Sequence, residues 1–370
     1  MNNKLRQYFP MIRTREEVLK EIKNNPGLLE IFKSWKQVNQ EEFLDFCTGV
    51  KGVKMTYDSF FKEIMNPEYT PERLEELISL IIDHQVKILT VLPNDSTRIA
   101  DETALVIMDI VVEFEDHSLA NIEIQKIGYA FPGQRSACYS ADLLLRQYKR
   151  VKDESDRKEK PFSFNNIKSV YTIVLFEKSQ KEFHQFSDTY IHHFSQTSDT
   201  GLEIDLLQNY VFIPLDIFKA KLHNKHIESR LDAWLVFVCV DEPEWIVEVI
   251  EAYPQFKAMY RQVYEMCLNV ERVMTMFSEE LRQLDKNTVL YMIDEMQDEI
   301  TKMGNQLKEK DEALQQKDEA LQEKEEALQQ KDEALRQNRK RLEQSRLEQK
   351  KDREEIEVLR RRIAELEGRM

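Results

Sequence analysis

The chain has 370 residues, 41% of them hydrophobic and 33% charged, with a formal net charge of −15 at pH 7. That is longer than one ordinary domain and apolar enough for a sizeable core, and the surplus of charge points to a long solvated helix. Residues 308–370 carry 17 Lys and Arg against 18 Asp and Glu, so the acidity belongs to the first 307 residues and argues against nucleic-acid binding through a broad basic surface.

The opening "MNNKLRQYFPMIRTREE" contains no apolar h-region and reads as lacking a secretory signal. The longest apolar runs, "TALVIMDIVVEF" and "AWLVFVCV", are too short to cross a bilayer as helices. Cys47, Cys138, Cys239 and Cys267 are scattered without metal-ligand or redox spacing and read as free thiols of a reducing compartment. The expectation is a cytoplasmic protein with no membrane segment.

Thr14 and Glu17 have capping-box spacing ahead of "EEVLKEIKNNPGLLEIFKSW", whose apolar periodicity is helical and which Asn24–Asn25–Pro26–Gly27 divides in two. Further helical runs cover "EEFLDFCTGV", "MTYDSFFKEIMNPEY" and "PERLEELISLIIDH", the last with Pro71 suited to a first turn. After "LPNDSTRIADET" the pattern changes. "ALVIMDIVVEF" reads as a strand, "EDHSLAN" as a hairpin turn and "NIEIQKI" as the returning strand. "FPGQRSACYSADLLLRQYKRV" is helical, with Arg135, Tyr139, Leu143 and Gln147 in steps of four, and "KDESDRKEKPFSFNN" reads as a charged loop. "SVYTIVLF", "NYVFIPLD" and "AWLVFVCV" read as three more strands with helical segments between, giving an α/β domain with a mixed sheet.

From Glu244 the pattern is helical again, and then strictly heptadic. Ile293, Ile300, Leu307, Leu314, Leu321, Leu328, Leu335, Leu342, Gln349, Ile356, Ile363 and Met370 lie seven apart and define position a of one coiled-coil frame. Position d is Met296 and Met303 at the start, Lys310, Lys317, Lys324 and Lys331 through the "KDEALQQ" repeats, and Leu359 and Leu366 at the end. The frame predicts a homo-oligomer, dimer or trimer, held more firmly at its ends than in its middle.

The chemistry centres on Asp109, Glu123 and Gln125. Asp109 interrupts an apolar strand, a costly place for a carboxylate unless it is paired or binds a cation. Glu123 and Gln125 share one strand face by the two-residue period, and a hairpin brings that face beside Asp109. Two such carboxylates repel unless a divalent cation neutralises them, and their hard oxygens suit Mg²⁺ or Mn²⁺. The competing reading makes Glu123 and Gln125 the wet face of an edge strand. Arg135 and Tyr139, one helical turn apart, are candidates for a phosphate contact; Gln147 and Lys126 are weaker ones, and Glu63 is a possible accessory acid beside Lys62. The run Arg146–Lys160 is the densest basic patch, diluted by Asp153, Glu154, Asp156 and Glu159. With only 8 Gly in the chain there is no phosphate-cradling glycine loop.

"YDSFFKEIMNPE", "IMDIVVEFEDHSLANIEIQK", "PGQRSACYSADLLLRQY" and "SVYTIVLFE" together resemble the PD-(D/E)XK nuclease superfamily, and within it the transposase-like, recombination-promoting branch, over roughly residues 57–240. The resemblance implies a restriction-endonuclease-like α/β core with a central mixed sheet flanked by helices. It implies that Asp109, Glu123 and the Ile124 carbonyl hold Mg²⁺ or Mn²⁺, that Gln125 stands where the superfamily usually has Lys, and that the substrate is DNA, expected to be duplex, with no small-molecule cofactor. The expected organisation is a helical segment 1–56, a nuclease-like domain 57–240, a helical connector 241–292 and a coiled coil 293–370. The first functional expectation is a metal-dependent DNA endonuclease tied to recombination or mobile DNA. The alternative is an inactive nuclease fold serving as an interaction head on a coiled-coil scaffold.

Overall fold

The computed structural model describes residues 3–92, 109–126, 132–223 and 226–367. Six helices lead the chain: α1 (Lys4–Tyr8), α2 (Arg15–Asn24), α3 (Pro26–Ser34), α4 (Gln37–Cys47), α5 (Asp58–Ile64) and α6 (Pro71–Ile82). The capping box read from Thr14 and Glu17 is present, each side chain accepting from the other's backbone N–H. Asn25 ends α2 and caps α3, accepting from Gly27 and Leu28, while Pro26 takes the first helical position, where no N–H is needed.

The sheet comprises β1 (Ile88–Leu92), β2 (Ile110–Phe114), β3 (Leu119–Gln125), β4 (Val170–Phe176), β5 (His192–Phe194) and β6 (Gln208–Pro214), in the order β1-β2-β3-β4-β6-β5. β1 pairs antiparallel with β2, and β2 with β3; β3, β4 and β6 are mutually parallel; β5 closes the far edge antiparallel to β6. The β2–β3 hairpin turns where expected, with Ile110 opposite Ile122 and His117 in the left-handed region at φ 69°. Of the apolar run expected as its first strand, residues 104–108 lie outside the described residues; Asp109 stands immediately ahead of β2.

Helix α7 (Pro132–Arg157) crosses one sheet face. The other face packs on the helical core through Ala120, Ile122, Ile173, Leu175, Val211 and Ile213, and Tyr139 and Leu143 of α7 pack on Val111, Leu119 and Val170 of the sheet. Strands buried on both faces read as near-continuous apolar runs, which is why β4 is legible in the sequence. The chain continues through α8 (Leu215–Leu222), α9 (Arg230–Cys239), α10 (Pro243–Ala252), α11 (Phe256–Met266) and α12 (Val270–Glu367).

Two sequence expectations are corrected. "AWLVFVCV" is not a strand but most of α9, a helix buried on all sides from Asp232 to Cys239. A helix apolar all round loses the periodicity that would mark it. The signal lay upstream, where Ser229 and Asp232 form a second capping box. The charged loop expected from Lys152 is instead helical to Arg157, held by i,i+4 pairs such as Arg150–Glu154 and Lys158–Glu154.

Residues Met1–Glu295 form one compact unit and Met296–Met370 a second. The first unit joins the three N-terminal segments separated in the sequence: Leu5, Phe60, Ile122, Trp234 and Phe277 all belong to a single hydrophobic core. The second is helical through Glu367. Among the described residues no helix is long and apolar enough to cross a membrane.

Candidate active site

β3 is an interior strand, and that decides the character of its polar face. Glu123 is 3% exposed and Gln125 5% exposed, so the wet-edge reading fails: these groups are sequestered with α7 above them. Asn121, on the same face two residues earlier, is fully buried.

The carboxylates meet through the hairpin. The Asp109 N–H donates to Glu123 Oε1 at 2.9 Å and the Ile124 N–H donates to Asp109 Oδ2 at 2.9 Å, so each carboxylate is oriented by the other's strand. Asn121 Nδ2 also donates to Glu123 Oε1 at 3.0 Å. Lys62 enters from α5: its Nζ lies 3.3 Å from Asp109 Oδ1 and 2.9 Å from Asp58 Oδ2. Asp58 opens α5, and its Oδ1 is buried with no hydrogen-bond partner among the described residues.

The electrostatics follow from burial and crowding. Burial and then the Asp109 charge push the Glu123 carboxyl up to about 8, against the opposing pull of Asn121, the Asp109 N–H and Arg135. Asp109 is pushed up to about 6 by burial and by Asp58, opposed by Lys62 and the Ile124 N–H. Burial favours the neutral form of Lys62, but Asp109 and Asp58 outweigh it and hold the ammonium above its ordinary value. The pair is therefore short of positive charge.

The sequence-derived candidates separate. Asp109, Glu123 and Gln125 come together. Both side-chain amide atoms of Gln125 are buried without a hydrogen-bond partner among the described residues, while its backbone carbonyl accepts from the Glu177 N–H at 2.8 Å. Arg135 acts on Glu123 electrostatically and donates from Nε to the Tyr139 hydroxyl at 2.6 Å; Tyr139 is 1% exposed beneath it. Lys126 turns to the other face, where its Nζ lies 2.6 Å from Glu280 Oε2 and 4.3 Å from the centre of the Tyr57 ring. Gln147 is fully buried and occupied by the His117 carbonyl and Arg150. Glu63 pairs with Arg272 at 2.7 Å, not with the carboxylates. The basic run around Arg150 instead lines a cleft of about 400 Å³ with His117, Lys158, Lys160 and Lys168 at the hairpin end of α7.

Sequence reasoning missed Asp58, Asn121 and the reach of Lys62. Asp58 and Lys62 are four apart on α5, a spacing visible in "YDSFFK" but no different from any helical ion pair.

Among the described residues no group of three or more His, Cys, Asp or Glu is gathered so as to hold a metal ion by itself. The donors nevertheless suit a hard divalent cation. Mg²⁺ takes one or two carboxylates and keeps several waters. Here two crowded carboxylates, an unpartnered Gln125 amide oxygen and an unpartnered Asp58 oxygen supply only oxygen.

A family profile described as "PD-(D/E)XK nuclease family transposase" matches residues 55–293. No curated protein and no solved structure matches the chain.

Proposed function

The chain belongs to the PD-(D/E)XK nuclease family of transposases, and from that premise we propose that it is a divalent-metal-dependent DNA endonuclease acting through Asp109 and Glu123. The observation that carries the reading is the buried pair itself: two carboxylates held together by reciprocal backbone bonds, both raised above their ordinary range. Structural burial alone gives no reason to keep such repulsion; a cation between them relieves it. Asp109, Glu123 and the Ile124 carbonyl are the groups that would hold Mg²⁺ or Mn²⁺. When bound there, such an ion would supply Lewis-acid chemistry, lowering the pKa of a water and offsetting charge on a phosphodiester.

The protein's own groups do the rest. Asn121 fixes the Glu123 carboxylate by donating to Oε1. Gln125 supplies an amide where relatives of the wider superfamily supply an ammonium, so it orients by hydrogen bonding without contributing charge. Lys62 brings positive charge to the same carboxylates from α5. Arg135 lies close enough to act on Glu123 and is the phosphate-directed guanidinium, with Tyr139 holding it in place. The cleft around Arg150, Lys158, Lys160 and Lys168 extends basic surface along α7 for duplex backbone. The helix from residue 293 onward oligomerises the protein.

One observation favours a second reading, a silent nuclease fold used for binding: the Lys62–Asp109 contact neutralises part of the site without any metal. Calorimetric titration with Mn²⁺ separates the two. Binding by the wild type that is lost in Glu123→Gln supports the nuclease; no binding by the wild type supports the scaffold.

A further inference from the structure

The second unit is a helix with an uncovered apolar row: Leu314, Leu321, Leu328, Leu335, Leu342 and Leu359 are each more than half exposed. The flanks of this row are not uniform. In the frame with Leu314 at position a, position e is Asp311, Asp318, Glu325 and Asp332 in the first half, then Arg339, Arg346, Arg353 and Arg360 in the second. From residue 311 to residue 360 the sign inverts once, between residues 332 and 339; the last e position, Glu367, falls opposite Gly304 in the pairing proposed here. We propose that the occupant of this row is a second copy of the same chain, lying antiparallel about a two-fold axis near residue 336. This rests on the oligomerising role given to the helix above and adds its direction and register.

Two independent features of the sequence select this arrangement. In an antiparallel pair, e positions of one helix flank e positions of the other. A two-fold near 336 sets Asp332 beside Arg339, Glu325 beside Arg346, Asp318 beside Arg353 and Asp311 beside Arg360, each pair occurring twice. In a parallel, in-register pair, e is flanked by g. There Ala313, Ala320, Ala327 and Ala334 offer the acidic half no charge and Arg341 meets Arg346, so three attractive pairs, Glu348–Arg353, Glu355–Arg360 and Arg362–Glu367, stand against one repulsion, where the antiparallel register has four attractive pairs and no repulsion along its e rows.

The core layers give the same answer. Parallel pairing stacks each d residue on its own copy, so Lys310, Lys317, Lys324, Lys331 and Asp352 would form five like-charged layers. Antiparallel pairing sets d against a. The register that aligns the e rows then places Lys317 on Ile356, Lys331 on Leu342 and Asp352 on Leu321, and sets Leu314 on Leu359 as an apolar layer. A lysine stem lies along an apolar partner while its ammonium reaches water; two lysines facing each other have no such escape. At about 1.5 Å per residue, the residue-296 ends of the two paired helices lie about 120 Å apart.

Cross-linking in the full chain tests this. Cys138, the exposed native cysteine, is first changed to Ser; the other three are buried. Leu314→Cys and Leu359→Cys chains carrying different tags are coexpressed and oxidised, with each variant also oxidised alone, and mass is measured by light scattering. The expected result is a dimer that forms the mixed 314–359 disulfide and no disulfide in Leu314→Cys alone. Self-cross-linking of Leu314→Cys shows a parallel pair and overturns the proposal; so does a dimer that forms neither disulfide. A monomer overturns it together with the oligomerising role. As a check independent of sulfur, Glu325→Arg weakens self-association by about tenfold, and adding Arg346→Glu restores it; failure of the double variant to recover contradicts the register.

Discussion

Lys62 Nζ lies 3.3 Å from Asp109 Oδ1, reaching from α5 to the carboxylate just ahead of β2. It brings a cation to the carboxylate pair where Gln125, on the strand, brings none. Positive charge near a developing phosphate charge acts through position, whichever element carries it.

Lys62 is therefore expected to matter for rate. Lys62→Ala should lower the single-turnover cleavage rate by about 100-fold with little change in thermal midpoint, since its pairs with Asp58 and Asp109 are part-exposed. Gln125→Lys placed in that background should recover a substantial part of the rate. A Lys62→Ala enzyme as fast as the wild type would assign the lysine to structure alone.

Asp58 makes a separate prediction. Its Oδ1 is buried and unpartnered among the described residues, and its charge raises Asp109. Asp58→Asn should weaken Mn²⁺ binding by about tenfold, within the range seen for groups just outside a metal's ligands. Calorimetry reads it; unchanged affinity would place Asp58 outside the cation's field.

The pH dependence of stability without metal has a defined sign. Glu123 is raised to about 8 and Asp109 to about 6. Between the ordinary carboxylate range and these values the folded chain holds protons that the unfolded chain has lost, so this pair makes stability fall as pH rises. The stability present near pH 4 should decline progressively toward pH 8. Glu123→Gln should flatten that decline relative to the wild type, and Mn²⁺ should offset it most at the alkaline end. Thermal melts from pH 4.5 to 8.5 measure this, and parallel curves for the two proteins would contradict it.

Glu280 ties the site to the first part of α12. It is 2% exposed, with Oε2 2.6 Å from Lys126 Nζ and Oε1 accepting from the Ser59 N–H at 2.9 Å, at the start of α5. Glu280→Ala leaves the largely buried Lys126 without its partner and should cost about 3 kcal/mol in denaturant unfolding. Because Ser59 adjoins Asp58, cation affinity should fall as well. Loss of stability without loss of affinity would separate α12 from the site.

Much of the site could be read directly from the residues. An Asp interrupting an apolar run and a Glu-x-Gln on the returning strand sufficed to bring Asp109, Glu123 and Gln125 together, because strand alternation and hairpin pairing are local. What escaped was non-local or without period. Asp58 and Lys62 join the carboxylates only through the packing of α5, which Glu280 fixes from 221 residues away in the chain. Asn121 looked like a turn residue and is a buried donor to Glu123. α9 was hidden by complete burial, and the edge strands β1 and β5 were too short or too polar to show alternation. Gln147 sat in step with Arg135 and Tyr139, but a 26-residue helix carries it to the opposite end of the hairpin, against His117.

The most direct test of the account is plasmid cleavage by the purified full chain. With Mn²⁺ or Mg²⁺, supercoiled DNA should convert to nicked and linear forms. The conversion should be absent with chelator and abolished in an Asp109→Ala protein that retains the wild-type circular dichroism spectrum. A wild type that leaves plasmid, linear duplex and branched DNA intact with either metal, or an Asp109→Ala protein that cuts as well as the wild type, would contradict it.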